Sequence, residues 1–213
     1  MFAFRKNAWA VGQIADGGLQ VQTSVADLSR GLLSGTQVAT VMGWRDVAAV
    51  AAGDQVLTFD DGLQTVSAVH HTYIETSEHR GSASDQLIYV PSGVLGNAQE
   101  MTLLPSQPVM IEDSIAEEVF GDPFVVIPAR HLVGYAGIHH VPAPMIAHLI
   151  SLVFDQDQVV FANVGGLLVC PASTDLLDVG RPTYEALTDP VSALLVNAMK
   201  IDHTARGGYQ AAA

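Results

Sequence analysis

The chain has 213 residues, 49% of them apolar and only 15% charged, with a formal net charge of −13 from 22 acidic and 9 basic side chains. Such a composition belongs to a compact globule that buries about 70% of its unfolded surface, not to a disordered chain. The acidic excess repels polyanions and argues against nucleic acid or anionic lipid as a partner, and no run of about 18 apolar residues is present to span a membrane.

Residues 1–30 follow neither a helical nor an alternating pattern and read as an arm or leader. Arg5 and Lys6 precede an apolar stretch, but Gly12, Gln13 and Asp16 interrupt it, which leaves it too poor for a secretory signal. The expected location is the cytoplasm, or outside the cell by export without a recognisable signal peptide. From Gly35 onward the character changes to short β-rich runs punctuated by Gly, Pro and Asp, the mark of an antiparallel fold.

The runs are TQVATV, QVLTFD, the long LQTVSAVHHTYIE, then DQLIYVP, VMIED, PFVVIPA, IAHLISLVF, QVVFAN and LLVC. Most have four to seven residues and are rich in Val, Ile, Leu, Thr and Phe. Asp60-Asp61-Gly62 predicts a hairpin with Gly62 in the left-handed position. DVAAVAAGD, with Val47 and Val50 three apart, predicts one or two helical turns closed by Gly53. TDPVSALLVNAMKID predicts a helix with Asp189 as N-cap, Pro190 in the first turn, and Val191, Leu194, Leu195 and Ala198 on one apolar face.

Cys170, the single cysteine, sits in GGLLVCPAS and reads as a small buried hydrophobe. The eight histidines include the neighbours His70 and His71, and His139 and His140; His148 lies near Asp155 and Asp157. Adjacent strand residues point to opposite faces, so neither pair chelates one ion in regular β geometry. No metal or cofactor is expected. Glu117 with Glu118, and Asp60 with Asp61, read as solvated turns or helix ends rather than as acid/base pairs.

The segment GTQVATVMGWRDVAAVAAGDQVLTFDDGLQTV resembles the start of the bacterial Hint (Hedgehog/intein) domain. Gly35, Thr36, Gly43, Gly53, Asp54, Val56, Leu57, Asp60 and Gly62 fall on that family's pattern. YVPSGVLGNAQEMTLLPSQPVMI is similar to its Pro-x-Gly-x-Leu-Gly loop and the Ser-Pro-x-His-Arg strand entry after it. FVVIPARHLV and LVFDQDQVVFANVGG resemble the later blocks. The resemblance covers about residues 31–175 and implies a mainly β fold, the compact antiparallel Hint type, with a C-terminal helix appended. The expected organisation is an arm at 1–30, a Hint-like domain at 31–178, and a C-terminal helix and tail at 179–213.

In that family an N-to-S or N-to-O acyl shift needs a Cys, Ser or Thr as first residue to attack the carbonyl before it. A histidine protonates the leaving amide, and a threonine helps position the carbonyl. On the family pattern the nucleophile position is Gly31, which has no side chain. Thr36 matches the strand-entry threonine. Gln107 stands where the histidine belongs, and an amide does not titrate near neutrality. Ser151 and Asp157 fall where later histidines are usual. Ser34 lies three residues past Gly31, about 10 Å along an extended chain, and reads as a turn residue.

No catalytic residue is therefore assigned. The expectation is a degenerate Hint domain without self-cleavage, acting as a structural or protein-interaction module with a protein partner or a second copy of itself. Two alternatives stay open at this point: autoprocessing before Gly31 by a divergent mechanism, and an unrelated β-rich binding or hydrolytic domain that matches by chance.

Overall fold

The computed structural model describes residues 31–75, 86–170, 172 and 183–210, with the backbone alone for 206–210. The arm expected at 1–30 lies outside the described residues. In chain order the first strands are β1 (Leu32–Leu33), β2 (Gln37–Thr40), β3 (Gly43–Asp46), β4 (Gln55–Thr58), β5 (Gly62–Thr65) and β6 (Ala68–Glu75). They are followed by β7 (Gln86–Val90), β8 (Met101–Leu103), β9 (Pro108–Glu112) and helix α1 (Ser114–Phe120). The remainder is β10 (Phe124–Pro128), β11 (His139–Pro142), β12 (Ile146–Val153), β13 (Gln158–Ala162), β14 (Gly166–Cys170) and helix α2 (Asp189–Gln210).

The fold is mainly antiparallel β with a C-terminal helix. One sheet runs β10-β9-β14-β13-β2-β4-β5, with β3 on β2; two three-stranded sheets run β1-β12-β6 and β11-β7-β8. The hairpin at Asp60-Asp61-Gly62 joins β4 to β5 with Gly62 at φ 67°. The turns predicted from DVAAVAAGD are a single 3-10 turn, Val47–Ala49, capped by the Asp46 carboxylate, which accepts the Ala48 N–H.

The long run LQTVSAVHHTYIE is two strands rather than one, because the chain changes sheets at Val66. Its N–H donates to Asp54 O and its carbonyl accepts from Gly53 N, while Ser67 N donates to Val153 O. β5 thus stays with β4, and β6 crosses to β12 over the full register from Ala68↔Val153 to Glu75↔Ile146. Val66 is completely buried at this crossing.

The main core is formed by Val38, Ile88, Ile127, Ile150 and Leu168 among others, and α2 closes it with Leu195, Val196 and Met199. Of the predicted face Leu195 goes into the core and Leu194 does not. Leu194 is 71% exposed, and Ser192 is buried instead, its hydroxyl donating to Leu187 O. Asp189 is the first helical residue, after Thr188, whose carbonyl accepts the Ser192 N–H; its carboxylate accepts from Arg130 and from His131 at 2.9 Å, tying α2 to the 3-10 turn Ala129–Leu132. Those two bonds, His131 first, hold its carboxyl below the usual carboxylate range. Among the described residues no helix is long and apolar enough to cross a membrane.

Candidate functional site

Strand β1 has two residues, and its place is set by its partner: Leu32 pairs with Ile150 and Leu33 with Leu149. One step further along that ladder Gly31 faces Ser151. A Cβ placed on Gly31 would lie 3.3 Å from Ser151 Oγ, 3.4 Å from Leu149 Cβ and 3.6 Å from Ile150 O. On the far side of β12, Ser151 pairs with His70 of β6. Gly31, Ser151 and His70 therefore form one row across the three-stranded sheet, and paired residues of such a row share a face. His70 entered the sequence reading only as half of an adjacent pair, since its register with Ser151 is a long-range property.

The backbone at Gly31 has φ 124°, in the region that side-chain-bearing residues rarely adopt. Beyond β1 the chain turns at Ser34 and Gly35. Ser34 N donates to His148 O and Thr36 N to Leu33 O, and Thr36 O receives the Val47 N–H. Thr36 is buried where β2 begins.

Gln107 and Asp157 make their bonds elsewhere. Gln107 is 2% exposed, and its Nε2 donates to Val169 O at 3.0 Å and to Pro108 O at 3.2 Å. Among the described residues its Oε1, also buried, has no hydrogen-bond partner. The Gln107 loop still reaches the β1–β12 region through Leu104, which packs with Leu149 and Leu33. Asp157 accepts the Ala172 N–H at 2.7 Å and the Thr183 N–H at 2.9 Å. It acts as a clasp for the chain after β14. Beside it Tyr184 donates to Asp60, Gln158 Nε2 donates to Asp61 at 3.0 Å, and Leu187 N donates to Val126 O. Asp157→Ala leaves two backbone donors without their charged acceptor and is expected to cost about 2 kcal/mol. The check is urea denaturation together with faster amide exchange at Thr183; unchanged exchange there would show that the clasp is not made in solution.

Two asparagines that the sequence did not single out hold the loops around β13. Asn163 has φ 43°; its Oδ1 accepts Gln37 N and its Nδ2 donates to Glu100 O. Asn97, fully buried, donates through Nδ2 to Pro91 O and Gln99 O and accepts Leu95 N. Their signal was asparagine within two residues of a glycine in a turn, the residue type that tolerates φ > 0 and bonds nearby backbone. Cys170 is buried, and burial pushes its thiol up to about 12. A thiol in that state supplies no thiolate near neutrality. Among the described residues no three His, Cys, Asp or Glu side chains gather as a metal site.

A family model described as the Hint domain matches residues 30–166, well over half the chain. The chain belongs to that family. Among solved structures, the bacterial intein-like domain from Clostridium thermocellum is 14% identical, with TM-score 0.43, over 65% of this chain and 97% of that one. A GSH-linked, splice-inactive variant of the AceL NrdHF class 3 split intein is 17% identical, with TM-score 0.36, over 68% of this chain and 99% of that one. A search of the curated proteins returns no match. This Hint domain thus opens its matched region one residue before Gly31.

Proposed function

We propose that this Hint domain does not cleave its own backbone and serves as a structural or protein-interaction module. The observation that carries the reading is the row Gly31–Ser151–His70: where the first residue of the domain meets β12, there is a glycine at φ 124° and no side chain to attack the preceding carbonyl. Acyl transfer from a peptide bond needs a nucleophile held against that carbonyl and an acid for the leaving nitrogen. The lone thiol is buried at the end of β14, and Gln107 spends its amide on two backbone carbonyls.

The module reading draws further support from α2. Leu194 and Ile201 are 71% and 72% exposed and are two helical turns apart, so they share one outward face, with Ala198 between them. An apolar stripe with a small residue at its centre suits close contact with a protein surface.

Intact mass tests the proposal. The purified full chain, kept for days with dithiothreitol or hydroxylamine, is expected to retain residues 1–30. Loss of that segment with a new terminus at Gly31 would overturn it in favour of autoprocessing.

A further inference from the structure

β6 and β12 bring together two histidines that are far apart in sequence. Tyr73 pairs directly with His148, and His71 pairs with Ile150, so His71 is a diagonal cross-strand neighbour of His148, a separation that long or aromatic side chains span. The rings meet in an N–H···N hydrogen bond: His71 Nδ1 and His148 Nε2 are 3.0 Å apart, the donor being set by the tautomer, with centroids 5.2 Å apart and planes inclined by 25°. The Tyr73 ring also stacks on His148, with centroids 4.3 Å apart and planes inclined by 8°. The pair occupies the open end of the strand face whose neighbours Ile150 and Leu152 go into the main core, so the backbone beneath it is well anchored.

We propose that His71 and His148 form a two-histidine binding site for a divalent transition metal, with copper(II) preferred over nickel(II) and zinc(II). Imidazole nitrogens lie about 2.0 Å from such metals, so two ligands at a right angle stand about 2.8–2.9 Å apart and two tetrahedral ligands about 3.3 Å apart. The observed 3.0 Å is close to the right-angled bite that copper(II) and nickel(II) share in a tetragonal field of nitrogen and oxygen donors, and copper(II) ranks first because nitrogen sites bind it more tightly than either nickel(II) or zinc(II). Binding replaces the shared proton: the donating ring changes tautomer and carries its proton on the other nitrogen, while Tyr73 holds one ring and the strand pairing holds both Cα positions. No third His, Cys, Asp or Glu joins the pair among the described residues, which leaves the other positions to water or an exchangeable donor. The net charge of −13 favours cation approach. The rule that adjacent histidines face apart holds for His70 and His71; the chelating pair is made across strands instead.

The test is titration of the metal-free full chain with copper(II), read by electron paramagnetic resonance and by proton resonances of the histidine rings. One equivalent is expected to show coupling to two imidazole nitrogens and to broaden His71 and His148 before any other ring. His71→Ala and His148→Ala are each expected to weaken binding at least tenfold, while His140→Ala leaves it unchanged. His71 is exposed and His148 half-buried, and a melting curve for each variant verifies folding. Wild-type affinity retained in His71→Ala, no binding by the wild type, or first broadening at the other histidines would each overturn the proposal.

Discussion

Gly165→Ala is expected to lower the melting temperature by about 6–12 °C, corresponding to about 3 kcal/mol in a domain of this size. Gly165 has φ 127°, and a Cβ there would overlap the Gly96 carbonyl oxygen, while a Cβ on Gly96 would sit 3.3 Å from Gly165 O. The two loops thus touch backbone to backbone with no room for a methyl group. Neither can retreat easily: Ala98 N donates to Val164 O and Gln99 N to Asn163 O, and Asn97 and Asn163 bond the surrounding carbonyls. Asn163 and Val164 also have positive φ, 43° and 62°, an unusual state for a β-branched residue that persists only where the surroundings over-determine it. Gly43→Ala is the control. Its φ is 93° but nothing lies within 4 Å of the added carbon, so it loses only the backbone preference, about 1 kcal/mol. Equal losses in thermal melts of the two variants would show that the loop contact is not tight in solution.

That contact also illustrates how much of the fold was legible in the sequence. VPSGVLGNAQ and FANVGG announce turns through their glycines and asparagines, and so does DDG before β5, because a residue type that tolerates φ > 0 is a local property. The mating of Gly96 with Gly165 is not local, and no pattern announces it. β1 is similar: a two-residue strand exists only because β12 is there to pair with it. Helix α1 did carry local signals, with Asp113 accepting Ile115 N at its start and Gly121 at φ 78° at its end, but VMIED beside it reads as a strand and masks them. In α2 the apolar pattern pointed to Val191, Leu194, Leu195 and Ala198, of which Leu195 is in the core. Burial of Ser192, made tolerable by its bond to Leu187 O, turns the buried stripe to Ser192, Leu195, Val196 and Met199.

The candidate site divides in the same way. Its residue identities came from order and spacing along the chain, whereas their roles depend on register. Gly31 and Ser151 meet because Leu32 pairs with Ile150; a slip of one residue would have separated them. Asp157 reads in sequence as a substituted histidine position, yet its carboxylate is occupied by the Ala172 and Thr183 amides. The contact between His71 and His148 was invisible because partners on β6 and β12 are set by strand pairing and not by neighbourhood in the sequence.

Gly31→Cys, alone or with Gln107→His, is expected to leave the chain intact in dithiothreitol. From sequence alone the double variant ought to begin restoring thiol-sensitive cleavage, since it returns a nucleophile and a histidine to their family positions. The geometry opposes both halves of that expectation. At φ 124° a cysteine bears about 1–2 kcal/mol of backbone strain, and its Cβ enters within 3.3 Å of Ser151 Oγ. It either relaxes the start of β1 or points its sulfur along a direction fixed by β12. A histidine at position 107 inherits the place of an amide that donates to Val169 O and Pro108 O, so its ring N–H is held by β14 and not free to protonate a leaving nitrogen. The expected readouts are an unchanged intact mass over days and a modestly lowered melting temperature for Gly31→Cys. Thiol-dependent release of residues 1–30 would show that β1 readjusts to a nucleophile, and that the chemistry was lost by side-chain substitution alone. An intact chain with a lowered melting temperature is what a backbone settled in a glycine conformation predicts, and because Ser151 and Asp157 still stand where later histidines are usual, restoring the reaction then requires those positions as well as movement of β1 against β12.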